Sequence, residues 1–283
     1  MVAPLRTVLV KSPEQAYRSQ QAIDEQWKPL NYHAACDFDA AVDEFTLLTK
    51  ALTSSGADVV LLPEHAGTGL DSIYTHDPGF VTDAGLVIGE MGKAARAGET
   101  AALADWCNAN DVPIAGRIEP PGKLEGGDCV WIDPGTVAVG RGYRTNRIGI
   151  NQLRAILGGY VEVVEVPLPH WNGPDDVLHL MSNLSMLDDD LALIHRRLLP
   201  VTFVEWLENR AIELVEVPTA EYPSMGCNVL ALGPRRALML EGLPSTAALL
   251  ESHGVEAATY PGNEISRKGE GGPTCLTRPL LRA

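Results

Sequence analysis

Two things are scarce in this chain of 283 residues: cysteines that can pair, and positive charge. Its cysteines, Cys36, Cys107, Cys129, Cys227 and Cys275, are odd in number and widely scattered. None has the Cys-x-x-Cys spacing of a redox centre or the close pairing of a zinc knuckle. That argues against a disulfide framework, so a reducing, cytoplasmic location is expected. No His-x-x-x-His or Glu-x-x-His pair has ligand spacing either, so neither a metal nor any other cofactor is expected. Lys and Arg number 22 against 37 Asp and Glu, and 22 − 37 gives a net charge of −15. A chain this acidic, with no basic cluster, repels phosphates, which excludes nucleic acid as an expected partner. No apolar run approaches the roughly 20 residues of a membrane-spanning helix. The start, Met1-Val2-Ala3-Pro4-Leu5-Arg6, lacks the basic stretch and long apolar core of a signal peptide, so no membrane contact is expected.

What the chain does have is apolar content, at 45% hydrophobic residues, and a repeat. Four pairs of apolar runs flank tight polar turns, at 80–88, 130–139, 184–194 and 229–239, and read as hairpins. Amphipathic segments with helical spacing follow, such as Thr100–Asn108, Arg147–Leu157, Val201–Asn209 and Thr246–His253, and Ala40–Leu52 has the same pattern. After each helix comes a short β-rich run closed by proline, as in Gly159–Pro167, Arg210–Pro218 and Gly254–Pro261; Ala57–Pro63 is another, and Asp111–Ala115 a weaker copy. The unit of hairpin, helix and strand recurs over roughly 45–50 residues. Thr7–Val10 at one end and Cys275–Leu280 at the other supply a fifth hairpin split between the termini. Five such units imply an α/β ring closed by its own termini, with residues 1–283 as a single domain.

The chemically capable residues fall just ahead of the hairpins, where a ring would gather them around its axis. These stretches are His76-Asp77-Pro78-Gly79, Glu125-Gly126-Gly127-Asp128, His179-Leu180-Met181, Ser224-Met225-Gly226-Cys227-Asn228 and Gly271-Gly272-Pro273-Thr274-Cys275. Cys275 follows a Gly-rich loop beginning at Gly269, which lets backbone approach a ligand closely. It reads either as a nucleophile needing a nearby base or cation, or as a buried structural thiol. His179 lies in an apolar surround and reads as a core histidine or as a proton shuttle for such a thiol. Glu125 and Asp128, with Asp71 and Asp77, are solvated loop carboxylates or a cradle for a delocalised cation such as guanidinium. Arg96 and Arg144 are surface cations or forks for a substrate carboxylate.

Together, Asp71-Ser72-Ile73-Tyr74-Thr75-His76-Asp77, Glu125-Gly126-Gly127-Asp128, His179-Leu180-Met181-Ser182 and Gly272-Pro273-Thr274-Cys275 resemble the pentein, or guanidino-group-modifying, superfamily, and within it the dimethylarginine dimethylaminohydrolases. The resemblance runs in order over nearly the whole chain. It implies a fivefold pseudosymmetric α/β propeller and a hydrolase cleaving a C–N bond of a guanidino amino acid, without cofactor. Cys275 would then be the nucleophile, His179 the proton donor and acceptor, and Glu125 the orienting carboxylate. Asp71 and Asp77 would hold substrate nitrogens and Arg96 and Arg144 the α-carboxylate. Leu30 would lie near the loop contacting the α-amine, with His76, Asp128 and Gly269 also at the substrate. His76 stands where that relative has Glu, and Met181 where arginine deiminases have a second acid, which tilts the expected substrate from arginine towards an N-substituted guanidine. Arginine deiminase, dihydrolase and amidinotransferase chemistry on the same fold remain open, as does a ribosome-binding branch that would not need the Cys, His and Glu set.

Overall fold

Each repeat folds into one three-stranded sheet backed by helix. The computed structural model describes residues 2–174 and 176–283. In chain order, β1 (Leu5–Val10) leads through α1 (Pro13–Ala16), α2 (Gln20–Gln26) and α3 (Phe38–Ser54) to β2 (Asp58–Leu61). The second unit is β3 (Gly79–Thr82), β4 (Gly85–Ile88), α4 (Gly98–Ala109) and β5 (Ile114–Arg117). The third is β6 (Cys129–Asp133), β7 (Thr136–Arg141), α5 (Arg147–Leu157) and β8 (Glu162–Pro167). The fourth is β9 (Leu184–Asp188), β10 (Leu191–Ile194), α6 (Val201–Asn209) and β11 (Glu213–Glu216). The fifth is β12 (Leu230–Gly233), β13 (Arg236–Leu240), α7 (Pro244–Ser252) and β14 (Glu256–Tyr260), after which β15 (Arg278–Arg282) closes the chain.

All five sheets have one plan: an antiparallel hairpin whose second strand pairs in parallel with the strand after the helix. The termini complete it. β15 pairs antiparallel with β1, with Leu9 opposite Arg278, and β1 pairs in parallel with β2. Strands β3, β6, β9, β12 and β15, one from each sheet, all line one central cavity, which defines the axis of a fivefold α/β propeller. Helix ends follow local chemistry. Asn146 caps α5 by accepting from Gly149 N at 2.9 Å, and Gly158 ends it with φ of 70°.

Two strands are displaced from their expected positions. The last strand begins at Arg278 rather than Cys275, because the Thr277 hydroxyl donates to Pro273 O at 2.8 Å and folds 273–277 into a turn. Cys275 is thereby presented on a turn instead of being tied into a ladder. β5 begins at Ile114 because Asp111 takes a left-handed φ of 54° and the chain is still turning there. Cys36, Cys107, Cys129 and Cys227 are free and buried, as small apolar residues are expected to be. Among the described residues no helix is long and apolar enough to cross a membrane.

Candidate active site

The Cys275 turn is held from two sides. Asn228, on the loop before β12, accepts from Thr274 N at 3.0 Å through Oδ1 and points Nδ2 at Cys275 Sγ, 3.2 Å away. Glycine is required on the approach. A Cβ at Gly272 would lie 2.6 Å from Asn228 Cγ, and one at Gly269 would meet the rings of Tyr32 and Tyr74.

His179 stands on a short turn fixed by Asp128, whose Oδ1 accepts from Leu180 N at 3.0 Å. Its Nε2 donates to Glu125 Oε2 at 2.7 Å, and its Nδ1 lies 3.8 Å from Asp77 Oδ1. Glu125 is fully buried and also accepts from Arg144 NH1 at 3.2 Å, Gly92 N at 2.8 Å and Lys93 N at 3.2 Å. The Arg144-Thr145-Asn146 run supports it: Thr145 Oγ1 accepts from Glu125 N and Asn146 Oδ1 from Lys123 N, both at 3.1 Å. Gly127 is needed beside the imidazole, since a Cβ there would lie 2.5 Å from His179 Nδ1.

Asp77 is divided in two. Its Oδ2 accepts from Arg96 NH1 at 2.6 Å, while its Oδ1 is buried with no hydrogen-bond partner among the described residues. Arg96 is committed within the fold: Nε and NH2 make a bidentate pair with Glu99, at 2.8 and 2.7 Å, and NH2 also reaches Tyr74 O at 3.1 Å. Lys93, on the same loop, reaches Asp71 Oδ2 at 2.6 Å and Leu30 O at 2.9 Å.

These groups surround a pocket of about 50 Å³ at the loop end of the ring. Of the residues singled out in the sequence, Leu30, Asp71, Asp77, Arg96, Arg144, His179, Gly269 and Cys275 line it. Glu125 and Asp128 stand behind His179 and do not. His76 does not either: its Nδ1 faces Thr277 O at 2.7 Å and its ring lines the central cavity, which places it outside the pocket where substrate contact was expected of it. Asp128 likewise stands outside the pocket where substrate contact was expected of it, with Oδ1 on the Leu180 amide and Oδ2 buried without a hydrogen-bond partner among the described residues. Sequence reasoning missed Lys93 and Glu270, which line the pocket, and Asn228 beside the thiol. Lys93 lies three residues before the singled-out Arg96, and Asn228 lies on a loop already marked, so position was the only signal.

The electrostatics follow from burial and neighbours. Burial pushes the Cys275 thiol up to about 12, the Asp77 carboxylate adds to this, and the Asn228 and Gly272 hydrogen bonds only partly oppose it. Burial works against a charged His179, but Asp77, the Glu125 hydrogen bond and Asp128 outweigh it and raise its pKa to about 9. Burial likewise opposes ionisation of Asp77 and Glu125, yet the neighbouring His179 and Arg cations hold both carboxyls below their usual range. At neutral pH the site thus holds a thiol, an imidazolium and two carboxylates. Ligand-type atoms of Asp77, Glu125 and His179 come within 4.8 Å of one another despite their separation in sequence. The imidazolium and Arg144 already engage Glu125, which suits the set to holding a proton rather than a divalent cation.

The sequence profile of the arginine deiminase family matches residues 71–205 and 198–282. The chain belongs to the arginine deiminase family. It is 32% identical over 249 residues to the N(G),N(G)-dimethylarginine dimethylaminohydrolase of Streptomyces coelicolor, covering 85% of this chain and 86% of that one. It is 30% identical over 242 residues to the uncharacterized protein YkgA of Bacillus subtilis, covering 86% and 80%. Among solved structures, the Pseudomonas aeruginosa dimethylarginine dimethylaminohydrolase complexed with citrulline matches with a TM-score of 0.78 at 24% identity, over 99% of this chain and 100% of that one. The N-terminal domain of ArgZ, an arginine dihydrolase from cyanobacteria, matches with a TM-score of 0.79 at 17% identity, over 98% and 97%. Likenesses at such identities show the fold, which is that of this family's propeller.

Proposed function

We propose that this family member hydrolyses a C–N bond of a guanidino amino acid, an N-methylated arginine by preference, to citrulline and an amine. The observation that carries the reading is Asp77 Oδ1, a buried carboxylate oxygen without a partner, in the pocket that also holds Cys275 and His179. Arg96 holds only Oδ2, so Oδ1 is left without a hydrogen bond, and a guanidinium brings N–H donors that can supply it. The same cation favours ionisation of the Cys275 thiol, whose own surroundings oppose it.

In this reading the Cys275 thiol loses its proton to solvent as the guanidinium binds, and the sulfur bonds to the guanidinium carbon. His179 protonates the departing nitrogen, the C–N bond breaks, and the amine leaves a thiouronium adduct. His179 then takes a proton from water, whose oxygen bonds to the same carbon. The C–S bond breaks and the thiol is re-formed as the ureido product leaves. Glu125 holds the imidazole in register throughout. Support comes from the S. coelicolor relative named for dimethylarginine. The family's own name favours a second substrate, arginine, for which the same steps release ammonia.

The test is product formation from dimethylarginine, monomethylarginine and arginine by the wild-type chain and by Cys275→Ser. Citrulline with the matching amine, abolished in the variant, is the expected result. Undiminished citrulline in Cys275→Ser refutes the mechanism, and ammonia from arginine alone moves the assignment to the deiminase. A ureido product seen only when an amine acceptor is absent, with amidine transfer when it is present, makes the chain a transferase.

A further inference from the structure

We propose that the central cavity is a second ligand site, taking a small monocarboxylate with an apolar body whose head group lies against Arg278. The cavity measures about 810 Å³, within the range of small-molecule sites, and shares no lining residue with the loop pocket. Its walls are mainly apolar, with Phe80, Trp131, Met186 and Leu230 contributed by four of the inner strands. It reaches the exposed hairpin turn at Asp83 and Ala84, away from the loops that carry Cys275 and His179.

Three buried polar atoms on residues lining it lack a hydrogen-bond partner among the described residues: His76 Nε2, Thr274 Oγ1 and Arg278 Nε. His76 Nδ1 faces the Thr277 carbonyl and so carries the ring proton, which leaves Nε2 as an open lone pair. Burial and the Arg278 cation keep that ring neutral. Arg278 is only 4% exposed and donates through NH2 to His76 O. Arg282, also in the lining, donates to Ala3 O at 2.9 Å and Ala231 O at 2.8 Å. Neither guanidinium has a carboxylate in contact among the described residues, although acids outnumber bases 37 to 22 in the chain. The nearby Asp77 is spent on Arg96 on the other side of the wall.

A buried cation with no carboxylate in hydrogen-bond contact, in an apolar chamber, fits a ligand carrying one negative charge and a hydrocarbon body. The carboxylate lies against the Arg278 guanidinium in the cavity wall, whose charge it neutralises. Met181 and Met186 give the chamber walls that adapt to the shape of the chain they hold.

Decanoate is the probe, titrated below its micellar concentration against the full-length wild-type chain, with decan-1-ol as the neutral control of equal length. Trp131 lines the cavity and stacks on Phe80 at 5.2 Å, so its emission reports occupancy. The expected result is a saturable change with decanoate that is absent in Trp131→Phe, and binding of decanol at least roughly tenfold weaker, as loss of a charged hydrogen bond implies. Arg278→Met should abolish that preference for the acid. Should this variant fail to fold, the comparison of acid with alcohol on the wild type stands by itself. No saturable change, equal affinity for acid and alcohol, or a signal that persists in Trp131→Phe would each overturn the proposal.

Discussion

The Lys93 ammonium lies 2.6 Å from the Asp71 carboxylate and 2.9 Å from the Leu30 carbonyl, bridging two loops over the mouth of the pocket. A second link, His33 Nε2 to Glu270 at 3.0 Å, ties the Leu30 side to the loop before Cys275. At about 50 Å³ the pocket is far smaller than ordinary small-molecule sites, so an amino-acid substrate must displace some of these contacts. A substrate ammonium arriving at Asp71 or Leu30 O competes with Lys93 for the same acceptors. Lys93→Met should therefore lower KM for the amino-acid substrate several-fold with kcat within about twofold, since only ground-state competition is removed. Steady-state kinetics checks this, and a raised KM would show instead that the ammonium touches substrate.

The Cys275 thiol, at about 12, leaves a thiolate fraction on the order of one in ten thousand at pH 7.5. A neutral alkylator has no means of changing that, whereas a cationic amidine docks on Asp77 and favours the ionised sulfur. 2-Chloroacetamidine should therefore alkylate Cys275 far faster than chloroacetamide, by on the order of a hundredfold or more at neutral pH. Mass spectrometry of the modified peptide gives both rates. The advantage should vanish in Asp77→Asn, and equal rates in the wild type would mean that no cation site faces the sulfur.

Much of this was legible in the sequence, for identifiable reasons. The ring could be read because each hairpin repeats the same alternation and turn chemistry, and because the strands at the two ends could together supply the fifth hairpin. Glu125 and Asp128 could be marked because they flank two glycines at a strand entry; that one of those glycines is needed beside His179, where a Cβ at Gly127 would lie 2.5 Å from Nδ1, could not. Nor could Lys93. Its placement depends on backbone at Gly92 pressing on Arg144, where a Cβ would come within 2.6 Å of Arg144 Cα, across some fifty residues of chain. The two faces of the 76–77 pair were equally hidden. His76 and Asp77 are neighbours, yet one ring turns to the central cavity and one carboxylate to the pocket.

Arg96 and Arg144 were expected to share one task, and their surroundings separate them. Arg96 is 4% exposed and bonded to both Glu99 and Asp77, so Arg96→Ala strands two buried carboxylates. Loss of about 3–5 kcal/mol of stability is expected from breaking such a pair. Arg144 lines the pocket and makes one 3.2 Å contact with Glu125, leaving guanidinium donors for a substrate carboxylate. Arg144→Ala should cost roughly ten- to a hundredfold in kcat/KM for an amino-acid substrate, with little change for agmatine, which lacks the carboxylate. Thermal melts and paired kinetics separate the two. Equal losses on both substrates in Arg144→Ala would make that arginine structural as well.

The His179 cluster also sets a pH dependence of stability with a definite sign. His179 has its pKa raised from 6.5 to about 9 in the fold, so its contribution is full below about pH 6.5 and lost as pH rises through 9. Asp77 and Glu125 are depressed, so theirs is present above about pH 4 and lost on further acidification. These shifts describe the same contacts seen from both partners and count once. Asp128, raised to about 6 by burial, works the other way, its contribution falling as pH rises from about 4 to 6, so the cluster is at its best near pH 4 to 5. The alkaline loss attached to His179 is on the order of 3 kcal/mol, a fall of several degrees in Tm between pH 6 and 10. Melting wild type and His179→Gln across that range isolates it, because the difference between their Tm values should shrink as the imidazolium of the wild type is titrated away. A difference that stays constant to pH 10 would mean that His179 is not held as a cation by Asp77 and Glu125.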